Sequence, residues 1–428
     1  MKKLICGVAF LFCFGNFYAQ TLTATEQNIV KDIDDNMPIT LQLLKTTVNI
    51  NSGTYNVEGV KKVGALYRKE FDALGFTTEW ISLPDSLKRA GHLVAYKKGK
   101  KGKKIFLIGH LDTVFEPDMP PNPFTMLNDS VATGQGVNDM KGGDVVIIAA
   151  LKALKKQGLL DDVSITAYFT GDEENAGNPR EVSRGDFIER AKQHDIALAF
   201  ESAIGLNSIA TARRGASGWI LEVQAKQAHS SQVFGTGGYG AIYEAARIIN
   251  EFREKLSAEP YLTFNPGLFI GGSEVEVNTT TQRGNASGKT NIISPKTVVI
   301  GDLRFLSEKQ KEIARDTMSK IVSRSLAGTK ATIKFVDGIP SMPPTLGNEA
   351  LVKIVSEVSL NLGYGEVKAG DPGGRGAGDI SYIANYLDCL DGFGASGKGA
   401  HAPGETILLN DYPKLIKRAA LVIYKLTR

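Results

Sequence analysis

The amino-acid sequence predicts an α/β fold with a mixed, largely parallel main sheet and an inserted α+β unit. Three observations support this class. Apolar strand-like stretches alternate with amphipathic helical stretches towards both ends of the chain, which is typical of a parallel sheet. From about Arg213 the pattern changes to half-exposed strands separated by two helices. The 428 residues are enough for two domains, and 42% hydrophobic and 22% charged residues are ordinary values for a globular protein.

The larger unit is predicted from two separate parts of the chain. Its amino-terminal part alternates helices with apolar strands, and residues 345–428 resume the α/β pattern and end in a helix. The predicted helices are 25–48, 57–74 and 142–157, and the predicted strands are 76–82, 91–97, 104–110, 163–169 and 195–201. We therefore expect one discontinuous domain made of residues 20–212 and 339–428.

The inserted unit, residues 213–338, is predicted to be a ferredoxin-like βαββαβ sandwich. Its elements follow in the order strand, helix, strand, strand, helix and strand, which is that of a split βαβ motif. The predicted ranges are 218–227, 238–255, 267–278, 296–306, 307–327 and 330–336. The proline-rich stretch 337–344 is expected to be the hinge back to the first domain.

The charge pattern argues against nucleic acid as a partner. The net charge is only +4, and the run KKGKKGKK at 97–104 supplies six lysines by itself. This run lies between two predicted strands and is interpreted as a solvated hairpin turn. Nucleic-acid binding normally needs a wider basic face with aromatic partners, and the sequence shows none.

The amino terminus has the pattern of a cleavable export signal. Lys2 and Lys3 precede an apolar stretch, 4–17, that is too short to span a bilayer comfortably. The predicted signal peptide is 1–19, which implies a periplasmic or secreted protein, and no later segment predicts a membrane span. Cys389 is the only cysteine after the signal, so the processed chain is expected to have no internal disulfide.

Histidines and carboxylates occur at the predicted strand ends and in the glycine-rich loops. His110 ends a strand in GHLDT, and Asp112 two residues later is placed to accept its second ring N–H. The loop GQGVNDMKGGD and the segments GDEEN, AFE and GKGAHAPGE add further candidates. Together the candidate ligands are His110, Asp139, Glu173, Glu174, Glu201 and His401.

These groups predict a centre for divalent cations. Ligands bind at the carboxyl-terminal edge of an open α/β sheet, and the candidates all lie at that edge. Asp139 and the three glutamates bring four negative charges, which two divalent ions would balance, and paired ions are a known hydrolytic arrangement. Oxygen and imidazole ligands without a thiolate suit zinc or a similar ion such as Co²⁺ or Mn²⁺. Taken alone, the His110–Asp112 pair could be a strand cap and Asp139 a helix cap.

Five motifs in order, GHLDTV, GVNDMKGG, GDEEN, AFE and GAHAPGE, resemble those of the M20 family of co-catalytic zinc peptidases. The likeness is strongest to the glutamate-carboxypeptidase (carboxypeptidase G-like) subgroup and covers nearly all of the chain after the signal. It implies that one zinc is held by His110 and Glu201, the other by Glu174 and His401, with Asp139 bridging them. It further implies that Glu173 is the general base and that Asp112 orients His110.

The resemblance also assigns roles in the inserted unit and in one glycine-rich loop. In this family the inserted unit is a lid that usually dimerises, and His229 in AKQAHSS matches the histidine that reaches the partner's site and stabilises the oxyanion. Asn291 in TNIISP and Arg304 in GDLRF match substrate-contacting residues. Arg375, in GDPGGRGAGD, replaces an expected small residue and is a further candidate for substrate binding. His92 and His194 match no motif and are expected to be ordinary surface or packing residues.

The sequence therefore predicts an exported di-zinc hydrolase that acts on a small peptide or an N-acyl amino acid and is a homodimer. A carboxypeptidase that releases a C-terminal amino acid such as glutamate is the main prediction. An aminopeptidase, a dipeptidase or an N-acyl-amino-acid deacylase with the same zinc core is the alternative. A non-catalytic binding protein is disfavoured because every ligand and the base are present, and a nucleotide- or pterin-binding Rossmann module is disfavoured because no G-x-G-x-x-G follows the first strand.

Overall fold

The computed structural model describes residues 22–428, so the predicted signal peptide lies outside the described residues. Among residues 22–428, no helix is long and apolar enough to cross a membrane. The helices are α1 (Ala24–Asp35), α2 (Met37–Val48), α3 (Val57–Ala73), α4 (Lys141–Lys156), α5 (Arg180–Ala191), α6 (Ala241–Leu256), α7 (Glu308–Val322), α8 (Leu346–Asn361) and α9 (Tyr412–Leu426).

The strands are mostly short, and the longest belong to the two main sheets. They are β1 (Thr77–Ile81), β2 (His92–Lys97), β3 (Lys101–His110), β4 (Thr125–Asn128), β5 (Val131–Thr133), β6 (Val163–Thr170), β7 (Ile196–Ala199), β8 (Ser208–Ile209), β9 (Gly215–Ala225), β10 (Thr263–Gly272), β11 (Glu274–Asn278), β12 (Arg283–Ser287), β13 (Lys296–Phe305), β14 (Thr329–Ile339), β15 (Lys368–Ala369), β16 (Asp388–Asp391), β17 (Gly397–Lys398) and β18 (Thr406–Leu408).

The main sheet has six strands in the order β1-β2-β6-β3-β7-β16. Strands β6, β3, β7 and β16 are parallel to one another, and β2 and β1 complete the sheet next to β6 through antiparallel pairs. Both faces are covered, because Ile105 and Leu107 of β3 belong to one apolar core and Phe106 and Ile108 to another. The predicted mixed, largely parallel sheet is confirmed.

The lysine-rich segment 97–104 connects two strands that are not paired, so the predicted hairpin is wrong. Strand β6 lies between β2 and β3, and the segment crosses the amino-terminal end of β6. The amides of Lys100 and Lys101 both donate to the carbonyl of Asp162, just before β6. The two flanking strands were recognisable from their apolar residues, but the strand that separates them comes more than 50 residues later.

The inserted unit contains a four-stranded antiparallel sheet in the order β10-β13-β9-β14. Helices α6 and α7 pack on one face around Trp219, Phe252 and Met318. The hairpin β11–β12 packs on the other face through Val275 and Val277. The two connections to the larger unit meet where the main chains of Arg213 and Met342 exchange two hydrogen bonds of 2.9 Å. The domain boundaries at 212/213 and 338/339 stay a prediction.

Two helical predictions differ from the structure. The single helix predicted at 25–48 is two helices that meet at Asn36, and Pro38 lies in the first turn of the second. Helix α5 was not predicted. Most of its side chains are polar, but Phe187 and Ala191, four residues apart, are buried against the sheet. That i,i+4 pair after Pro179 was the signal that could have revealed the helix.

Candidate metal centre

Three neighbouring parallel strands bring most of the candidate ligands to one sheet edge. His110 ends β3 and lies opposite Thr170, the last residue of β6, so the Glu173–Glu174 segment follows directly beside it. Strand β7 runs parallel to β3 on the other side and leads into Glu201. The carboxyl ends of these strands therefore form the predicted kind of ligand edge. Asp139 precedes helix α4, and His401 lies in the loop between β17 and β18.

The polar atoms form two groups that share Asp139. His110 Nε2 lies 3.3 Å from Asp139 Oδ1 and 3.9 Å from Glu201 Oε1. His401 Nε2 lies 3.1 Å from Asp139 Oδ2 and 3.2 Å from Glu174 Oε2. Each oxygen of Asp139 thus faces one histidine–glutamate pair, which is the arrangement a bridging carboxylate needs.

Glu173 lies beside the first of these groups. Its carboxylate is within 4.8 Å of the ligand atoms of His110 and Glu201. It is therefore close enough to exchange a proton with a molecule held there. The same geometry would also allow it to bind a cation directly.

The charges of the site fit divalent cations. Burial raises the pKa of Glu201 to about 7, and the nearby carboxylate of Asp139 adds to the effect. Burial, followed by the charge of Glu201, raises the pKa of Glu173 well above its usual range. Glu174 Oε1 is buried without a hydrogen-bond partner among the described residues. Crowded carboxylates and an unpartnered buried oxygen are stabilised by positive charge, so this donor set fits the predicted metal ions.

Asp112 contacts His110 differently from the prediction. The closest contact of His110 Nδ1 is with the main-chain carbonyl of Asp112 at 3.0 Å, and the Asp112 carboxylate is at 3.5 Å. The carboxylate instead accepts the amide N–H groups of Glu173 and Glu174 at 3.0 and 3.1 Å, and the hydroxyl of Thr54 at 2.6 Å. Asp112 therefore contacts both the histidine and the glutamate segment.

Glu405 was missed by the sequence reasoning. Its carboxylate accepts the main-chain N–H groups of Gly136, Asn138 and Asp139 at 2.7 to 2.9 Å and so fixes the loop that carries Asp139. Burial raises the pKa of Glu405 to about 7, against the effect of these donors. Its position four residues after His401, in the same glycine-rich motif, was the only available signal.

Asp172, to which no role was assigned, is buried in an ion pair. Its carboxylate lies 2.5 Å from Arg184 of helix α5, and Arg184 also pairs with Asp379 at 2.7 Å. The side chains of all three residues are at most 4% exposed. The three carboxylates of GDEEN therefore have different surroundings. Glu173 and Glu174 lie near His110 and His401 of the candidate centre, whereas Asp172 pairs with Arg184.

The structure does not bring His229 and Asn291 into the ligand cluster. Both are exposed, and their segments pair with each other: the amide of Ser230 donates to the carbonyl of Asn291 at 2.9 Å. The nearest partner of His229 Nδ1 is Ser231 Oγ at 2.9 Å. Within residues 22–428, no hydrogen bond or ion pair joins either side chain to the histidine–carboxylate groups.

The two predicted substrate arginines make contacts within the chain. Arg304 pairs with Asp302 at 2.7 Å and lines a cavity of about 520 Å³ together with Arg180 of the larger unit. Arg375 donates to the carbonyl of Ser202 at 2.6 Å and lies 3.3 Å from Asp391. Arg304 therefore faces open space between the two units, whereas Arg375 is tied to the segment after Glu201.

Comparison with known proteins identifies the family. Residues 106–425 match the model of Peptidase family M20/M25/M40. This chain belongs to that family. It is therefore a metal-dependent hydrolase of peptide or amide bonds, and the predicted family is confirmed.

Relatives within the family differ in their named activities. Carboxypeptidase G2 of Pseudomonas sp. (strain RS-16) is 27% identical over 421 residues, which cover 96% of this chain and 95% of that protein. Succinyl-diaminopimelate desuccinylase of Polynucleobacter necessarius subsp. necessarius (strain STIR1) is 26% identical, with coverage of 88% and 96%. The solved structure of Bacillus subtilis YXEP, a dinuclear metal-binding M20 peptidase, has a TM-score of 0.62 at 15% identity, covering 92% of this chain and 99% of that one. The M20 peptidase fold is thus shared along most of the chain.

Proposed function

We propose that this M20 hydrolase is an exported, homodimeric di-zinc carboxypeptidase that releases a C-terminal amino acid such as glutamate. The observation that carries the proposal is the pair of histidine–glutamate groups that share Asp139, with Glu173 beside them. The choice of a carboxypeptidase rests on the likeness to carboxypeptidase G2 over 96% of the chain. Export rests on the pattern of residues 1–19 alone.

The proposed ligands divide into two sets. His110 and Glu201 would hold one ion, Glu174 and His401 the other, and Asp139 both. When bound, divalent ions lower the pKa of a coordinated water and polarise the carbonyl of the scissile bond. Zinc is proposed because the donors are imidazole and carboxylate groups without a thiolate.

Glu173 is proposed to move the proton. Its carboxylate would accept a proton from the attacking water and return it to the departing nitrogen. The hydrogen bond from its own amide to Asp112 and the buried position of the segment limit the orientations that it can adopt. Its raised pKa in the absence of cations would fall when cations bind nearby, which leaves it ionised and able to act as a base.

The inserted unit is proposed to complete the site. Arg304 is a guanidinium on the sheet of this unit, and such a group can bind a substrate carboxylate through two hydrogen bonds. Its present partner Asp302 is 45% exposed, and an ion pair that is exposed to this extent contributes little free energy. Arg304 can therefore leave Asp302 and bind a substrate carboxylate with little loss of free energy. His229 is proposed to act from the partner subunit, which agrees with the contacts of its side chain, since within residues 22–428 no hydrogen bond or ion pair joins it to the cluster of its own chain.

A substrate panel tests the proposal. The protein is loaded with Zn²⁺ and assayed with N-aroyl-glutamate amides, N-succinyl amides and peptides that have a free amino terminus. We expect the highest kcat/KM for the N-aroyl-glutamate amide. A preference for the succinyl amide would favour a deacylase, as in the desuccinylase relative, and a preference for free amino termini would favour an aminopeptidase or dipeptidase. Inactivity on every amide would refute the proposed function.

A further inference from the structure

The peptide bond between Asp172 and Glu173 is held at both of its polar atoms. Its N–H group, that of Glu173, donates to Asp112 Oδ1 at 3.0 Å. Its carbonyl, that of Asp172, accepts a hydrogen bond from Arg184 Nη2 at 3.2 Å. A peptide group is planar, so two opposed contacts fix the rotation of that plane. The N–H of Glu174 donates to Asp112 Oδ2 at 3.1 Å and holds the next peptide group, so the two planes together set the direction in which the Glu173 side chain leaves the backbone.

Arg184 is itself fixed by a complete set of partners. Nη1 contacts Asp172 Oδ1 at 2.5 Å and Ser183 Oγ at 2.6 Å, and Nε donates to Asp379 Oδ1 at 2.7 Å. Asp379 in turn accepts the hydroxyl of Thr170 at 2.6 Å, at the end of strand β6. The guanidinium therefore joins three segments: helix α5, the glutamate segment and the glycine-rich loop that contains Asp379.

A buried charge of this kind is not explained by stability alone. Arg184 is 1% exposed, and desolvating an arginine and two aspartates costs free energy that apolar side chains would not require. The guanidinium supplies what apolar residues lack, which is a rigid set of donors pointing in several directions at once. One of those donors is directed at the carbonyl next to Glu173.

We propose that Arg184 is a positioning residue that orients Glu173 by holding the Asp172–Glu173 peptide group against Asp112. This inference rests on the proposed role of Glu173 as the base. A lysine at this position keeps the positive charge but cannot reach the carbonyl and both carboxylates together, because it carries a single nitrogen.

The test compares Arg184→Lys with Arg190→Lys. Arg190 is a matched control because it lies on the same helix and also contacts two carboxylates, Asp186 and Glu79, but not the glutamate segment. We expect R184K to lower kcat about 10- to 100-fold, the range in which loss of a residue that orients a metal ligand lowers activity. KM and metal content should stay within about two-fold of the unmodified enzyme, because Arg184 contacts Asp172 and Asp379 and none of the proposed ligands. R190K should leave kcat unchanged.

Amide hydrogen exchange of the peptide that contains Glu173 and Glu174 gives a readout that does not depend on activity. Exchange should become faster in R184K and stay unchanged in R190K, because the Glu173 N–H loses its fixed orientation towards Asp112. Unchanged exchange or an unchanged kcat in R184K would overturn the inference.

If R184K does not fold, Asp172→Asn, which keeps the shape of the side chain but removes the ion pair, is judged by the same two criteria. An unmodified enzyme that is inactive on the whole substrate panel would refute the proposed function instead, and the exchange result would still decide whether Arg184 holds the segment.

Discussion

His92 shows at the residue scale how a side chain outside the metal cluster acquires a fixed protonation state. It is fully buried; its Nδ1 accepts the N–H of Gly171 at 3.1 Å, and its Nε2 is 2.9 Å from the carbonyl of Ser183. Only the neutral imidazole with a proton on Nε2 satisfies both contacts. The sequence left open whether His92 is a packing or a surface residue, and the structure shows that it is a packing residue. The sequence alone could not decide this, because the burial of His92 depends on strands that are distant from it in the sequence.

The buried His92 predicts a pH dependence of stability. Burial lowers the pKa of His92 below its unfolded value of about 6.5, so the unfolded chain takes up a proton first as the pH falls. Its contribution to stability is therefore complete above about pH 6.5 and is lost as the pH falls below it, by at most about 1.4 kcal/mol per pH unit. Urea unfolding of the metal-free protein between pH 7 and pH 5 should show this loss. His92→Gln should remove that part of the slope, whereas the exposed His229→Gln should keep it. An identical slope in H92Q would show that His92 does not contribute.

Among the secondary-structure elements, the strands that carry candidate ligands were predictable, whereas the elements that support those strands were not. Apolar runs that end at or shortly before His110, Glu173 and Glu201 mark three buried strands, and the general behaviour of parallel sheets places their ends together. Helix α5 was missed because most of its residues are polar. Glu405 contacts main-chain groups of the Asp139 loop that precede it in the sequence by between 266 and 269 positions. No local sequence pattern encodes a contact over such a separation. Local patterns thus predicted the candidate ligands, and long-range hydrogen bonds determine how these side chains are held.

The loop before helix α4 should depend on Glu405. At pH 8 Glu405 is mostly ionised, because its pKa is about 7. In Glu405→Gln the amide NH₂ would face main-chain N–H donors, so at least one hydrogen bond to a charged acceptor is lost at a cost of about 1.5 to 3 kcal/mol. Asp139 would be held less firmly, and we expect the variant to unfold at lower urea and to retain less metal after dialysis. Thr406→Val is the matched control, because the Thr406 hydroxyl forms hydrogen bonds with the main chain of Lys398 and with no other residue of the described range 22–428. Wild-type stability and metal content in E405Q would contradict this role.

At the scale of the whole molecule, the proposed function needs residues from both units. The α/β class, the inserted βαββαβ unit and the family were predictable, because periodicity and five ordered motifs extend over most of the chain. The crossover of segment 97–104 over β6 was not predictable, since strand order depends on packing of the complete sheet. Whether His229 serves its own site or that of a partner is likewise a property of the assembly.

A complementation experiment tests the proposed use of His229 in a dimer. His229→Ala and Glu173→Gln should each be nearly inactive as homodimers. In a symmetric dimer with His229 acting on the partner's site, the mixed dimer has one complete site of two, so the purified mixed dimer should have about half of the wild-type activity. The two chains carry different tags, and the doubly purified mixed dimer is assayed. A mixed dimer as inactive as its parents would show that His229 does not act across the interface.

The most direct test of the central claim is the kcat of Glu173→Gln, measured on protein whose metal content has been determined. We expect Glu173→Gln to bind two divalent ions per chain, as in the unmodified protein, and its kcat to fall at least about 100-fold, because general acid–base catalysis contributes roughly 10²- to 10⁴-fold. Retention of activity would contradict the role of Glu173 as the base, and loss of an ion would show that Glu173 is a metal ligand.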